Sequence, residues 1–101
     1  MRVRKIDLNQ NDIVDAFRKL GASVLVLSAV GQGCPDVLIG MRSRHRRINV
    51  LVEIKGARGK LTQDQISFYL EWKGDARIIR TIEEAAQLVN EIKSLGALCG
   101  A

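Results

Sequence analysis

The sequence predicts a single α/β domain whose elements follow the order αβββαβα. Two helical stripes bracket the chain, one at Ile13, Val14, Phe17 and Leu20 and one at Ile82, Ala85, Leu88, Val89, Ile92 and Leu95. Between them lie short runs rich in leucine and β-branched residues, at Ser23 to Ser28, Val37 to Ile39, Ile48 to Lys55 and Ala76 to Arg80, bounded by glycine, proline or polar residues. A length of 101 residues, 47% of them hydrophobic, suffices for one core and one domain spanning residues 1–101.

Met1 to Lys5 reads as a basic lead-in, so residues 1–6 are expected to be flexible and the core to run from about 7 to 95. Asn9 or Asn11 caps the first helix and Gly21 stops it; its polar face carries Asp12, Asp15, Arg18 and Lys19, a solvated surface with helix-stabilising charge pairs. Ser23 to Ser28 reads as a buried strand, and the glycines of Ala29 to Gly33 permit a close-approach loop. That loop is neither a P-loop nor a dinucleotide fingerprint. Cys34 reads as a small packed residue, because the one histidine, His45, does not pair with it in sequence.

A second strand begins with Asp36 and is joined through the polar run Arg42 to Arg47 to a third, Ile48 to Lys55. Side chains alternate along a strand, so Glu53 and Lys55 leave one face while Val50, Val52 and Ile54 leave the other. A hairpin centred between Arg44 and His45 opposes Asp36 with Glu53, Leu38 with Leu51 and Gly40 with Asn49. Two carboxylates then face each other with Cβ atoms roughly 5 Å apart, an arrangement that costs stability unless positive charge lies between them. Lys55 supplies one such charge, and a divalent cation would supply more. Arg42, Arg44, Arg46 and Arg47 at the tip, with Arg58 and Lys60 in the loop after Lys55, read either as a solvated charged surface or as phosphate-binding groups. Thr62 caps the next helix, Gln65 completes a capping box, and Ile66, Phe68, Tyr69, Leu70 and Trp72 form its apolar side. Thr81 with Glu84 forms a second capping box, and Gly96 closes the last helix.

Gly-x-Pro-Asp at residues 33–36, the apolar strand, Glu-x-Lys at 53–55 and Leu-Thr-x-x-Gln at 61–65 together resemble the VRR-NUC branch of the PD-(D/E)XK nucleases, in its stand-alone phage or prophage form. Asp and Glu-x-Lys alone recur by chance; the three motifs at these spacings are more specific. The resemblance runs in element order from about Asp7 to Val89. It implies a restriction-endonuclease-like core with a mixed central sheet flanked by helices. It further implies catalysis by Asp36, Glu53 and Lys55 with Gln65 directed into the site, and Mg²⁺ or Mn²⁺ held by Asp36, Glu53 and the backbone carbonyl of Ile54. An acidic residue on the first helix is matched at Asp12, where Glu is usual. The activity implied is structure-selective hydrolysis of branched DNA such as four-way junctions by a homodimer. Tyr69 and Trp72, aromatics that read as exposed, are a candidate dimer contact. A catalytically silent DNA-binding module and a small basic RNA-binding α/β domain are the alternatives.

The net charge is +5 and unevenly placed: residues 1–60 carry twelve Lys or Arg against five Asp or Glu, and residues 61–101 carry four against six. The cationic half holds the hairpin, which favours a polyanionic partner. No apolar run spans a bilayer and no signal-peptide progression is present, so the expected location is the cytoplasm. Cys34 and Cys99 lack metal-site or disulfide spacing and read as reduced thiols.

Overall fold

The computed structural model describes residues 2–99. Its elements are α1 (Arg2–Lys19), β1 (Ser23–Val26), β2 (Val37–Ser43), β3 (Arg46–Ile54), α2 (Gln63–Glu71), β4 (Ala76–Ile79) and α3 (Ile82–Cys99). The four strands form one mixed sheet in the order β1-β2-β3-β4, with β1, β2 and β3 antiparallel and β4 parallel to β3. The fold is thus α+β in the order αβββαβα, a mixed sheet flanked by helices.

Alternation along β2 and β3 divides the sheet into two unlike faces. Val37, Ile39, Val50, Val52 and Ile54 point to one face, where Ile13 and Phe17 of α1 and Ala85, Leu88, Val89 and Ile92 of α3 cover them. This is the core, and Phe17 and Ile39 are fully enclosed in it. Removing a ring of that kind typically costs about 3–5 kcal/mol. The opposite face carries Leu38, Leu51, Asn49 and Glu53, and α2 lies over its β4 side, where Phe68 and Gln65 approach Glu53 and Ile78.

The β2–β3 hairpin has the register that the sequence predicts: Leu38 pairs with Leu51 and Gly40 with Asn49, and Arg44 turns the chain with a φ of 55°. Gly21 ends α1 as expected. With a φ of 100°, it lets its own N–H reach the Arg18 carbonyl and the Ala22 N–H reach Phe17, so the last helical carbonyls are satisfied.

Several boundaries differ from expectation. The helix α1 starts at Arg2, so residues read as a flexible lead-in are its first turns, and Asn9 lies inside the helix rather than capping it. Nothing between Arg2 and Leu20 breaks a helix, and an internal Asn does not force a start. Met1 lies outside the described residues, as does the Cys99 side chain. The strand β1 is an edge strand rather than a buried one, with Leu25 58% exposed, because no element covers its second face. Ordered pairing in β2 begins at Val37, one residue after Asp36. Gly96 does not stop α3, which continues to Cys99. A glycine inside a helix costs only about 1 kcal/mol, and Ala97 and Leu98 beyond it favour helix. At the start of α3, Thr81 accepts from the Glu84 N–H, whereas the Glu84 carboxylate accepts from Arg80 rather than Thr81.

The loop between β1 and β2 approaches α2 at Gly33, whose φ is 78° and whose missing Cβ leaves the space filled by the Asp64 carbonyl. Gly33→Ala therefore combines a left-handed backbone with an overlap against main chain and is expected to destabilise the fold by about 2–3 kcal/mol, read as a lower urea midpoint with unchanged slope.

Candidate active site

Continuing the β2–β3 register past Val37 and Val52 brings Asp36 opposite Glu53 and Pro35 opposite Ile54. Proline has no N–H to donate, so regular pairing ends there. The Ile54 N–H, deprived of a ladder partner, donates instead to Asp36 Oδ2 at 2.8 Å. An extended residue directs its N–H and C=O to the same side, so the Ile54 carbonyl also faces the Asp36 side, where Pro35 offers it no donor. The Asp36 carbonyl meanwhile accepts from the Leu27 N–H, which fastens the approach to β2.

Glu53 is the most enclosed charged residue of the site: its side chain is 8% exposed, against 19% for Lys55. Gln65 Nε2 donates to Glu53 Oε2 at 3.1 Å, and Lys55 Nζ stands 3.8 Å from the same oxygen. Glu53 Oε1 is buried and has no hydrogen-bond partner. Gln65 plays both parts considered for it. Its amide oxygen accepts from the Thr62 N–H to close the capping box, while its amide nitrogen reaches Glu53.

Burial first, and the Asp36 carboxylate second, push the Glu53 carboxyl up from its ordinary 4.5 to about 8, with Lys55 opposing both. The same surroundings raise the Cys34 thiol: burial leads, followed by the charges of Glu53 and Asp36. A thiol held protonated is a poor nucleophile, in keeping with the packing role read for Cys34.

Glu53 Oε1, buried without a hydrogen-bond partner, and the neighbouring Asp36 carboxylate are hard oxygen donors of the kind that Mg²⁺ and Mn²⁺ take. Among the described residues no cluster of three or more His, Cys, Asp or Glu side chains is gathered, so an ion held here would have two carboxylates and would need main chain and water for its remaining ligands. Asp12, exposed on α1, does not join them. From α1, Asn9 reaches this end of β3, donating to the Lys55 carbonyl at 3.2 Å; no sequence motif marked it for the site, although it lies one helical turn before Asp12.

Beyond Lys55, Arg80 Nη1 donates to the carbonyls of Gly56 at 2.7 Å and Gly59 at 2.6 Å, clamping the loop that carries Arg58 and Lys60. Sequence reading missed this residue, since an arginine after a strand carries no motif. Arg58, Lys60, Arg42, Arg44, Arg46 and Arg47 are all exposed. Along α2 no side chain is buried: Ile66, Tyr69, Leu70 and Trp72 are exposed, and Phe68 stacks on Trp72 at 5.3 Å. No helix among the described residues is long and apolar enough to cross a membrane.

Comparison with known proteins finds no match among protein-family profiles, curated proteins or solved structures.

A carboxyl that holds its proton more tightly in the folded chain than in the unfolded one stabilises the fold only while protonated. Stability of the metal-free protein is therefore expected to fall as pH rises from about 4.5 toward about 8. Between pH 5 and 8.5 the loss attributable to Glu53 is on the order of 2–4 kcal/mol, and in Glu53→Gln it disappears, as urea titrations of the two proteins across that range would show.

Proposed function

We propose that the protein is a metal-dependent DNA endonuclease of the VRR-NUC type that hydrolyses phosphodiester bonds in branched DNA. One observation carries this reading: two carboxylates are apposed at the end of a β-ladder, one of them with a buried, unpartnered oxygen, beside a lysine two residues along the same strand. A structural ion pair does not account for the arrangement, because the site holds two acids against one amine.

The chain's own residues divide the work by position. Asp36 and Glu53 would hold Mg²⁺ or Mn²⁺, with the Ile54 carbonyl beside them. An ion held there would supply an acidified water and would offset charge on the phosphoryl oxygens. The Ile54 N–H, by holding Asp36 Oδ2, fixes the orientation of that carboxylate. Gln65 does the same for Glu53 through Oε2 and leaves Oε1 free to ligate. Lys55, with its ammonium 3.8 Å from Glu53, is placed to donate to a phosphate oxygen and to orient the attacking water. Arg58 and Lys60 extend positive charge past the site on a loop braced by Arg80.

The net charge of +5, concentrated with the hairpin in residues 1–60, supports a nucleic-acid substrate. The exposed apolar side of α2, where Leu70 is 75% exposed, supports a homodimer joined through Tyr69 and Trp72. A two-fold dimer presents two sites to the two symmetry-related strands of a four-way junction. Sedimentation at increasing concentration is expected to show a dimer that Tyr69→Ala/Trp72→Ala converts to monomer.

Labelled linear, flapped and four-way DNA incubated with the protein are expected to be cut on the branched forms when Mg²⁺ or Mn²⁺ is present and not with chelator. Glu53→Ala and Lys55→Ala should each slow cleavage by 10²-fold or more. A second readout is independent of activity: Mn²⁺ at pH 8 is expected to raise the thermal midpoint of the wild type and not of Glu53→Ala. Cleavage that survives Glu53→Ala would refute the assignment, and DNA binding without cleavage in any metal would leave a silent binding module.

A further inference from the structure

Opposed residues across the sheet stack into rows on the face that α2 leaves open. Leu25, Leu38 and Leu51 form one row, Ser23, Gly40 and Asn49 the next, and Arg42 with Arg47 the one after, at the tip. The rows continue the one that opposes Asp36 to Glu53. Strand rise places the arginine row ~20 Å from the carboxylates on the same face.

Arg42 and Arg47 line an open groove of about 380 Å³ together with Gly40, Asn49 and Ser23. Gly40 has no side chain to fill it; a Cβ there would meet Asn49 Oδ1 at 3.1 Å, so the Asn49 amide lies across the β2 backbone. Neither arginine has an acidic partner: the ion pairs among the described residues involve only Lys55 and Arg77. The other two tip arginines are placed differently. Arg46 opposes Ser43, on the core-side face where Ser43 Oγ donates to the Lys93 carbonyl of α3, and Arg44 sits in the turn itself.

We infer that Arg42 and Arg47, with Asn49, form a second phosphate-binding site at the far end of the open sheet face, engaging the backbone of the nucleic acid whose other end lies over Asp36 and Glu53. The inference rests on the endonuclease reading for the identity of the ligand and adds to it a position. Two unpaired guanidinium groups side by side suit a phosphodiester, which accepts bidentate donors. The half-exposed leucine row between the two charged ends accepts the apolar part of the sugar edge. For a B-form arm, with a rise of 3.4 Å per base pair, ~20 Å corresponds to about six base steps. The tip arginines therefore act as two sets: Arg42 and Arg47 grip the arm that is cut, and Arg44 and Arg46 do not.

The test is binding of labelled four-way DNA to the full chain, with chelator present so that no strand is cut. Arg42→Ala/Arg47→Ala is expected to weaken binding at least tenfold at 0.1 M salt and to lower the salt slope by one to two, whereas Arg44→Ala/Arg46→Ala changes affinity less than threefold. The single variants Arg42→Gln and Arg47→Gln each fall between. Neutral methylphosphonate linkages moved step by step along an arm provide the second readout. One placed about six steps from the cut weakens the wild type and leaves the Arg42→Ala/Arg47→Ala protein unaffected. Equal weakening by the two pairs, no weakening by either, or a methylphosphonate scan without a distal position overturns the inference. The two readings separate cleanly: cleavage with an equal effect of both pairs removes only the distal site, and a clear contrast between the pairs without cleavage in any metal removes only the endonuclease.

Discussion

Two carboxylates facing each other at the end of a β-ladder set the terms for the rest of this structure. Asp36 and Glu53 are brought together by the same register that pairs Val37 with Val52 and Ile39 with Val50, so their apposition is enforced by the core and is not chosen by the acids themselves. Directly opposed like charges destabilise a sheet. The chain answers with donors from three directions: the Ile54 N–H on Asp36, the Gln65 amide on Glu53, and the Lys55 ammonium nearby. These leave Glu53 Oε1 unmet, in a setting where burial and Asp36 together favour its protonated form. A buried acceptor without a partner costs free energy comparable to a lost hydrogen bond, and protonation of Glu53, which would let it donate to the Asp36 carboxylate, relieves that cost.

The link from α2 to this pair runs through one amide. No side chain of α2 is buried, so the helix is held less by apolar packing than by its N-terminal turn. That turn is fixed twice, by the Thr62–Gln65 capping box and by the Asp64 carbonyl lying against Gly33. Gln65 is then constrained at its oxygen by the cap and at its nitrogen by Glu53. The two readings of this residue, helix cap and site residue, are therefore two ends of one side chain. Loss of the cap would loosen the carboxylate as well as the helix. On the other side of the site, Asn9 ties α1 to the Lys55 carbonyl and Arg80 ties the following loop, so the chain leaving β3 is braced at two further points.

Local signals carried much of this. Apolar alternation in Val37 to Ser43 and Ile48 to Ile54, with a polar tip between them, specified the hairpin to the residue, because a slip of one position would turn every core side chain to solvent. Gly21 and Thr62 worked for the same reason: each acts on its own neighbours. What escaped was set by distant partners. Whether Ser23 to Val26 lies at the centre or the edge of the sheet depends on which strands flank it, and its own leucine and valines are equally suited to either place. The start of α1 escaped because Asn9 is as common a cap as any, yet its side chain is committed to Lys55, 46 residues away. The reach of Arg80 to two loop carbonyls, 24 and 21 residues away, has no local mark at all.

Register also ties the core to both charged ends of the open face. Every residue that faces the core from β2 or β3 has neighbours on the opposite face, and the two sets move together when the strands move. Packing of Val37, Ile39, Val50 and Val52 beneath α1 and α3 thus determines that Asp36 meets Glu53 at one end and Arg42 meets Arg47 at the other. Side-chain size within the core can vary by a methyl group at a cost of about 1 kcal/mol and leave this alignment intact. A shift of one residue in pairing would place Asp36 against Val52 or Ile54 and scatter the arginines, and it would bury Leu38 and Gly40 where Ile39 now fills the core. The alternation that makes the strands foldable is therefore the same constraint that places negative charge at one end of the sheet and positive charge at the other.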